Sequence, residues 1–447
     1  MNDLVKKYNV PVPRYTSYPT VPFWNDTIDL NKWKSEIKNC SPEGGISIYI
    51  HLPFCETLCT YCGCNKKITK NHSVEEEYIN IVLKEWQLYL DIWNKKPLIK
   101  EIHLGGGTPT FFSPKNLKKL IESILSSSEI HSSHEFSIEG HPNNTTVSHL
   151  ETLYNLGFKR ISYGVQDNDP EVQKIINRIQ PVANVQKATD NARKAGFTSV
   201  NFDLIYGLPR QNKERIIKTV EQSIAMRPDR IAFYSYAHVP WTSRGQRLFD
   251  ETDLPSADEK LELYKVSKEL FIKNGYYDIG MDHFALPHDD LYIAQQQGRL
   301  HRNFMGYTTN QTKTMIGLGV SAISDTGSAF AQNEKKLQNY ISAVENNVIP
   351  VVKGYFLSQE DLHFKKYILD LICKGETTIE PVSVEMVEKY SLPALAELIK
   401  DGLVQHTDSN IKILPEGKNF IRNICSCFDL YLLKKDFDNQ NLFSKAI

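Results

Sequence analysis

Four cysteines lie within one short stretch of the sequence, Cys55, Cys59, Cys62 and Cys64, with the spacing C-x3-C-x2-C-x-C. Thiolates at this density are typical ligands of iron–sulfur clusters. The first three can hold three corners of a four-iron cubane from a single loop, which would leave one iron open for a small chelating ligand. Cys64 follows closely after Cys62, so we expect that it does not reach the fourth corner.

Two other interpretations of these thiols stay open, a structural zinc site and a set of free thiols. Structural zinc usually takes two ligand pairs from separated segments. The loop has no second pair nearby in the sequence, although Cys425 and Cys427 could supply one. Cys40 and Cys373 are typical of ordinary buried thiols. The density of thiols in the loop favours the iron–sulfur interpretation.

The remaining composition predicts a globular cytoplasmic protein. The chain has 447 residues, of which 41% are hydrophobic and 23% charged, and its formal net charge is −1. A net charge this small provides no global basic field, so we expect neither nucleic acid nor an anionic membrane surface as a partner. The first residues lack the apolar region of a signal peptide. We find no apolar run near the ~18 residues of a membrane span.

The segments that must position the cysteine loop alternate regularly between predicted strands and predicted helices. Six predicted strands end near His51, Leu104, Glu139, Gln166, Tyr206 and Ala237. The segments between them, such as SVEEEYINIVLKEWQLYL, carry apolar residues at helical spacing. This alternation predicts a parallel sheet covered by helices. Six units favour an α/β fold, namely an open six-unit (partial TIM-type) β/α barrel.

Each predicted strand ends in a polar or glycine-rich segment. These segments are the cysteine loop, GGGTPT, EGHP, GVQD, DLIYGLP and YAHVP. Active sites of β/α barrels lie at the C-terminal ends of the strands, so the six segments predict one shared site. The glycines at 105–107 lack side chains, which permits close approach of a ligand to the backbone.

The barrel does not account for the whole chain. We predict an N-terminal arm at residues 1–40, a β/α barrel domain at 41–350 and a smaller, mostly helical C-terminal domain at 351–447. The arm segment VPVPRYTSYPT is rich in proline and predicts an extended conformation. After residue 350, EDLHFKKYILDLIC and VEMVEKYSLPALAELIKDGLV predict helices, and the last segment predicts a short strand and a closing helix.

The motifs together resemble the radical S-adenosylmethionine (SAM) superfamily. More narrowly, nine segments in order resemble the oxygen-independent coproporphyrinogen III oxidase family. They are PRYTSYPT, HLPFC…CGCNK, HLGGGTPT, GVQD, DLIYGLP, YAHVP, GMDHFALP, HRNFMGYTT and RNICSCFD. The resemblance runs from about Tyr8 to the C-terminal helix, which is nearly the whole chain.

The resemblance implies a radical SAM oxidoreductase of heme (porphyrin) biosynthesis with a 4Fe–4S cluster. Two propionates of coproporphyrinogen III would be decarboxylated to vinyl groups, giving protoporphyrinogen IX. A 5′-deoxyadenosyl radical made from SAM would abstract a hydrogen from a propionate β-carbon. The substrate radical would then lose CO2 and pass one electron to an acceptor. The sequence identifies neither this acceptor nor the electron donor, and the resemblance suggests a monomer.

The resemblance also assigns site residues. Cys55, Cys59 and Cys62 would bind the cluster, and Tyr49 and Cys64 would be catalytic, Cys64 by lying near the substrate or the radical path. The family binds two SAM molecules. Positions of the first match Tyr49, Gly106, Glu139 and Ile323, and positions of the second match Tyr61, Gly107, Thr108, Gln166, Arg178, Asp203 and Ala237. Without the family, Glu139 and Asp203 are strand-end carboxylates, and Arg178 has a planar donor fork that suits a carboxylate.

Several residues leave two interpretations open. Tyr61 stands where the family more often has Phe. Gly140 and His141 also depart from the usual pattern, which favours variation at a turn over a polar site residue. We interpret His51 as support for the cysteine loop. His283 suits structural packing and substrate contact equally.

The resemblance also implies a role for the arm, and two alternative functions stay open. Residues 14–20 and the C-terminal domain would help to cover the substrate, with Arg14 as a candidate partner of a propionate. One rival is a radical SAM heme-binding or heme-trafficking protein, against which CGCN and PRYTSYPT argue. The other is a related radical SAM methyltransferase or heme-degrading enzyme, against which HRNFMGYTT and RNICSCFD argue.

Overall fold

A sheet of twelve strands forms the centre of the computed structural model, which describes residues 2–40, 42–241, 243–309, 312–434 and 443–444. In chain order the strands are β1 (Ile46–Leu52), β2 (Leu98–Gly106), β3 (Glu129–Gly140), β4 (Phe158–Gln166), β5 (Ser199–Tyr206), β6 (Arg230–Ser235), β7 (Tyr277–Gly280), β8 (His283–Ala285), β9 (Thr314–Leu318), β10 (Ile323–Asp325), β11 (Ala329–Asn333) and β12 (Val351–Phe356).

The parallel strands occupy the middle of this sheet. The order across it is β12–β11–β10–β9–β1–β2–β3–β4–β5–β6–β8–β7. Strands β1 to β6 lie side by side in chain order and run parallel, and β9 adds a parallel strand on the other side of β1. Since neighbouring parallel strands point the same way, their C-terminal ends form one edge where loops from all of them meet.

Helices connect the parallel strands and cover the sheet. They are Val74–Trp93, Pro114–Ser126, Val147–Asn155, Pro170–Ile175, Val182–Ala195 and Lys213–Ala225. Their apolar faces point inward: Ile79 and Val82 of the first helix are fully buried in the same core as Ile48 of β1. The second helix begins at Pro114, because the Ser113 side chain accepts a hydrogen bond from the Asn116 N–H and Pro114 suits the first helical position.

The α/β class with an open barrel is confirmed, but the prediction of six strands was incomplete. Strand β9 is a seventh parallel strand, and all five of its residues are buried. Strands β7, β8, β10, β11 and β12 extend the sheet in antiparallel fashion. These later strands are short, and most of them pair antiparallel, so they lack the strand–helix alternation that identified the first six. Strand β6 ends at Ser235, ahead of the predicted end at Ala237.

The arm and the C-terminal segment share a second core. Tyr15 and Tyr18 of the arm are buried with Tyr367 and Leu395. The helices of this part are Asn2–Tyr8, Gln359–Lys374, Val384–Met386, the π-helical turn Val387–Ser391, Leu392–Lys400, Ile421–Ser426 and Leu430–Leu433, beside the small sheet of Glu376–Thr378, Asn410–Ile413 and Val404–Thr407. The predicted closing helix is therefore two short helices, and part of the predicted segment lies outside the described residues.

The other α-helices of the described residues are Leu30–Asn39, Ala257–Lys273, Asp290–Gln296 and Leu337–Glu345. Two small sheets have two strands each: one pairs Phe54–Cys55 with Lys67–Ile68, and the other pairs His301–Asn303 with Gly306–Thr308. Strand β12 follows the predicted boundary at residue 350 and still belongs to the large sheet, so the domain limits stay predictions. In the described part of the chain, every helix is too short or too polar to span a membrane.

Candidate active site

A cavity of about 460 Å³ opens at the C-terminal ends of the parallel strands. The sequence-predicted residues that line it are Cys55, Cys59, Tyr61, Cys62, Cys64, Gly106, Gly107, Thr108, Glu139, Gln166, Arg178 and Asp203. The structure thus brings residues from the cysteine loop and from the ends of β2, β3, β4 and β5 to one place. Tyr49, Ala237 and Ile323 lie outside the lining.

The cysteine loop is closed at its base by a short parallel pairing. Phe54–Cys55 pairs with Lys67–Ile68, and the Lys67 N–H donates to the Pro53 carbonyl at 2.8 Å. The Thr69 N–H donates to the Cys55 carbonyl at 2.9 Å. This pairing brings the two ends of the loop together, so the thiols between them project from a compact loop at the end of β1.

The three predicted ligand thiols differ in their hydrogen-bond donors. Thr108 Oγ1 donates to Cys55 Sγ at 3.3 Å, and Arg178 Nη1 donates to Cys59 Sγ at 3.6 Å. A hydrogen bond from the Cys64 thiol lowers the pKa of Cys62 to about 6, and the Lys66 ammonium adds to this shift. Donors and positive charge favour the thiolate over the thiol. Burial nevertheless raises the pKa of Cys55, so the surroundings favour the thiolate most clearly at Cys62, with Cys64 as its hydrogen-bond donor.

The alternative zinc site lacks its second ligand pair. Cys425 and Cys427 are buried in the core that the arm shares with the C-terminal helices. Their thiols donate to the carbonyls of Ile368 and Asn423. Among the described residues, no three Cys, His, Asp or Glu side chains are grouped closely enough to hold a single metal ion.

The glycine run after β2 brings two loops into contact. A Cβ on Gly107 would lie 2.6 Å from the carbonyl carbon and oxygen of Pro53, inside the cysteine loop's base. Gly106 has φ +116°, a conformation that favours glycine, and its N–H donates to Glu139 at 3.3 Å. Close packing of the backbone against Pro53 is thus a second reason for glycine here, beside the ligand approach that the sequence predicts.

The strand-end charges are held by neighbours. Asp203 accepts hydrogen bonds from Ser162 Oγ at 3.0 Å and from Asn201 Nδ2 at 2.8 Å, and burial raises its pKa to about 6. Arg178 donates to the Gly164 carbonyl at 2.6 Å, and its Nε is buried without a hydrogen-bond partner. The cavity therefore presents carboxylates and a guanidinium, groups that can bind amines, hydroxyls and carboxylates.

Tyr49 and His51 lie behind the cavity. The Tyr49 hydroxyl is 3.0 Å from His51 Nδ1, and His51 Nε2 is 2.8 Å from the Asn65 carbonyl in the cysteine loop. The Tyr49 ring also stacks on His103, with 6.0 Å between the ring centroids. This arrangement ties β1 to the loop, as expected for a supporting role of His51.

The two other histidines differ in their surroundings. His141 lines the cavity, and burial together with the nearby Arg178 charge lowers its pKa to about 3. His283 lies between the rings of Tyr234 and Tyr307, and its Nδ1 is buried without a hydrogen-bond partner. His141 is therefore a neutral wall residue of the cavity, and His283 packs behind it.

Some placements were not foreseen from the sequence. Tyr234 of β6 lines the cavity, and Lys66 donates to the Cys62 carbonyl at 2.9 Å. Tyr234 stands near a predicted strand end, which is the signal that could have identified it. Arg14 donates to Asp282 at 3.3 Å and to the Ser235 carbonyl at 3.0 Å, so its guanidinium already has an acidic partner.

Comparisons with known proteins agree with this geometry. The Radical SAM superfamily sequence model matches residues 49–222. An oxygen-independent coproporphyrinogen III oxidase of Synechocystis sp. is 37% identical, with 100% of this chain and 97% of that protein aligned. A protein of the same name from Escherichia coli is also 37% identical, covering 99% of this chain and 98% of its own length.

A solved structure is similar over the same extent. It is coproporphyrinogen III oxidase (HemN) from Escherichia coli, described as a radical SAM enzyme. The TM-score is 0.90 at 35% identity, and the match covers 97% of this chain and 99% of that chain. The similarity therefore includes the arm, the barrel and the C-terminal part.

Proposed function

Because this chain belongs to the oxygen-independent coproporphyrinogen III oxidase family, we propose that it converts two propionates of coproporphyrinogen III to vinyl groups, giving protoporphyrinogen IX for heme biosynthesis. It is a radical SAM oxidoreductase that uses a 4Fe–4S cluster and SAM. The observation that carries the proposal is the cavity where the thiols of the cysteine loop meet the glycines and charged residues of the strand ends.

Three thiolates would hold the cluster. Cys55, Cys59 and Cys62 are the proposed ligands, and each receives support from a different neighbour, as the contacts of Thr108 and Arg178 illustrate. When bound, the reduced cluster and SAM supply the radical that removes a hydrogen atom from the propionate. The chain's own part is to place the three thiols, to hold the loop in place and to enclose the reacting groups.

We propose the strand-end residues as the binding sites of two SAM molecules. Tyr49, Gly106, Glu139 and Ile323 would serve the first molecule, and Tyr61, Gly107, Thr108, Gln166, Arg178, Asp203 and Ala237 the second. Arg178 can form paired hydrogen bonds with a carboxylate, and the carboxylates of Glu139 and Asp203 can accept from an amine or from ribose hydroxyls. Tyr49, Ala237 and Ile323 lie outside the lining of the cavity.

The proposed catalytic residues are Cys64 and Tyr49. Cys64 is exposed in the cavity wall, where it can approach the substrate. Tyr49 is held by His51 and His103, so it would act by positioning the cluster-bound ligand. The cytoplasmic location, the monomeric state and the absence of a nucleic-acid partner stay predictions. The sequence identifies neither the electron donor nor the electron acceptor.

Anaerobic reconstitution tests the proposed function directly. The protein is loaded with iron and sulfide and then incubated with SAM, a reductant, an electron acceptor and coproporphyrinogen III. We expect protoporphyrinogen IX together with 5′-deoxyadenosine and CO2. Product without 5′-deoxyadenosine would contradict the radical mechanism, and binding of the tetrapyrrole without turnover would indicate a binding protein instead.

A further inference from the structure

His141 is a polar residue of the active-site cavity that lies outside the proposed sets of cluster and SAM ligands. It follows β3 directly and lines the cavity of the cysteine loop, where it is partly exposed. The chain turns tightly after it, because the Asn144 and Thr145 N–H groups donate to the His141 carbonyl at 2.9 and 3.0 Å. The turn fixes the place of the imidazole in the cavity wall.

The contacts of the ring determine which of its nitrogens carries the proton. Nδ1 accepts from the Asn143 N–H at 3.2 Å, as the side chains of aspartate and asparagine do in Asx turns. A neutral imidazole has one acceptor nitrogen and one N–H, so the proton resides on Nε2. Within the described residues Nε2 has no hydrogen-bond partner, and it is not a fully buried atom. The Nε2–H group is therefore free to donate to a ligand of the cavity.

Two hydrogen bonds connect the turn of His141 to segments proposed to bind the second SAM molecule. The His141 N–H donates to Thr110 Oγ1 at 3.2 Å, in the loop that follows the glycine run. The Asn143 amide donates to the carbonyl of Ile179 at 3.0 Å, and Ile179 follows Arg178 directly. His141 therefore lies between the loop of the glycine run and the loop that carries Arg178.

Arg178 supplies positive charge near His141, close enough to lower the pKa of the imidazole and keep it neutral. Its guanidinium donates to the Gly164 carbonyl and to Cys59 Sγ, and within the described residues it forms no ion pair with a carboxylate. A carboxylate that enters the cavity would meet this guanidinium and the Nε2–H group of His141. Hydrogen bonds to an ionised acceptor are roughly twice as strong as those between neutral groups, so both donors favour such a ligand.

We propose that His141 Nε2 donates a hydrogen bond to a ligand carboxylate that Arg178 also binds. This inference rests on the proposed function, whose reactants offer two sources of a carboxylate: the methionine part of SAM and the propionates of coproporphyrinogen III. The place of His141 between two segments of the second SAM set favours SAM. His141 is accordingly a ligand-binding residue, and its turn holds the donor in position.

Two substitutions separate the role of the donor from that of the turn. His141→Asn keeps an acceptor for the Asn143 N–H, because asparagine forms the same turn, but it loses the Nε2 donor. His141→Gln keeps an amide donor on a longer side chain and gives up the favoured turn residue. His131→Asn is the matched control, since His131 Nδ1 accepts from the Ser133 N–H at 3.1 Å in the same kind of turn but lies outside the cavity lining.

Binding of SAM and of coproporphyrinogen III to the reconstituted enzyme is the measurement. Each ligand is titrated separately under anaerobic conditions without reductant, which prevents turnover. We expect His141→Asn to weaken binding of one SAM molecule roughly 10- to 100-fold, because a hydrogen bond to a charged group is lost. His141→Gln should lose less, and His131→Asn should stay within about threefold of the wild type.

The other results decide between the possible roles. A loss of affinity for coproporphyrinogen III instead of SAM would identify a propionate as the carboxylate that His141 binds. Wild-type affinity for both ligands in His141→Asn overturns the assignment and leaves the proposed function intact. A larger loss in His141→Gln than in His141→Asn also overturns it, because the turn alone would then explain the histidine. Failure of the wild type to bind either ligand would overturn the proposed function as well.

Discussion

At the scale of single residues, the site depends on small differences between similar groups. Four thiols share one loop, yet the hydrogen bond between Cys62 and Cys64 lowers the pKa of Cys62 and raises that of Cys64. Arg178 supports Cys59 from another segment of the chain. Spacing predicts which cysteines can be ligands, and the neighbours of Cys62 and Cys64 shift the pKa values of these two thiols in opposite directions.

Substitution of single thiols tests the ligand assignment. Cys59→Ala should abolish the visible absorbance of the cluster and lower the bound iron, because a proposed thiolate ligand is lost. Cys64→Ala is the matched control from the same loop, and it should retain the cluster while losing product formation. Equal loss of the cluster in both variants would show that the ligands are wrongly assigned.

The glycines near the site permit an equally direct comparison. Gly107→Ala would place a methyl group 2.6 Å from the Pro53 backbone, so the cysteine loop must shift. We expect destabilisation of about 1–3 kcal/mol and reduced iron content. Gly63→Ala lies in the cysteine loop with no atom within 4 Å of the added Cβ, and it should keep normal iron content. Thermal unfolding and iron analysis of both variants provide the measurement, and normal iron loading in Gly107→Ala would refute the close-packing argument.

At the scale of elements, the arm joins the C-terminal part to the barrel. The Tyr15 hydroxyl donates to Asp429 at 3.1 Å, and Asp429 also caps the helix Leu430–Leu433. Arg422 donates to the backbone carbonyls of Val12 and Pro13. These contacts hold the arm against the C-terminal helices, so the arm's position depends on groups more than 400 residues away in the sequence.

Removal of one hydroxyl tests this docking. Tyr15→Phe would leave the buried Asp429 carboxylate with one donor fewer, and we expect a loss of about 1–3 kcal/mol in stability. Limited proteolysis should cut the arm faster in this variant than in the wild type. Tyr154→Phe changes a tyrosine that is 40% exposed and should leave both measurements unchanged. An arm that stays equally protected in Tyr15→Phe would contradict the docking role.

At the scale of the whole molecule, buried polar groups connect distant parts of the sheet. Glu85 of the helix Val74–Trp93 accepts hydrogen bonds from the Gly319 N–H at 2.7 Å, the Asn333 amide at 2.6 Å and the Tyr340 hydroxyl at 2.7 Å. Burial raises the pKa of Glu85 to about 7 from a model-peptide value of 4.5. One carboxyl thereby links the first connecting helix to strand β11 and to the loop after β9.

The stability of the protein should depend on pH through this residue. Below pH 4.5 the Glu85 carboxyl is protonated in both the folded and the unfolded protein. Between pH 4.5 and about 7 it stays protonated only in the folded protein. The unfolded state then binds fewer protons, so the free energy of unfolding falls as pH rises, by roughly 3 kcal/mol when the pKa is passed. Compared with Glu85→Gln, the wild type should lose thermal stability between pH 5 and pH 8. Glu77 is exposed on the same helix, so the thermal stability of Glu77→Gln should depend on pH as that of the wild type does. A difference in stability between Glu85→Gln and the wild type that stays constant with pH would contradict the raised pKa of Glu85.

The parts of the molecule that depend on local spacing could be predicted from the sequence. Each of these parts can be recognised from a stretch of about 30 residues, because hydrophobic periodicity and turn chemistry act over that distance. They are the cysteine loop, the glycine run after β2 and each of the six alternating strand–helix units. Their order also carried the family resemblance, which the relatives confirm. The approximate location of the active site followed, because parallel strands bring their C-terminal ends together.

The remaining features arise from contacts between segments far apart in the chain. The donation of Arg178 to Cys59, the parallel pairing of β9 with β1, and the hydrogen bond between Asn143 and Ile179 have no local signal. The spacing of apolar residues along the sequence predicts only whether a side chain is buried or exposed. Which partner it meets is decided when helices, arm and sheet pack together, since burial sets both the neighbours and the electrostatic cost of each charge.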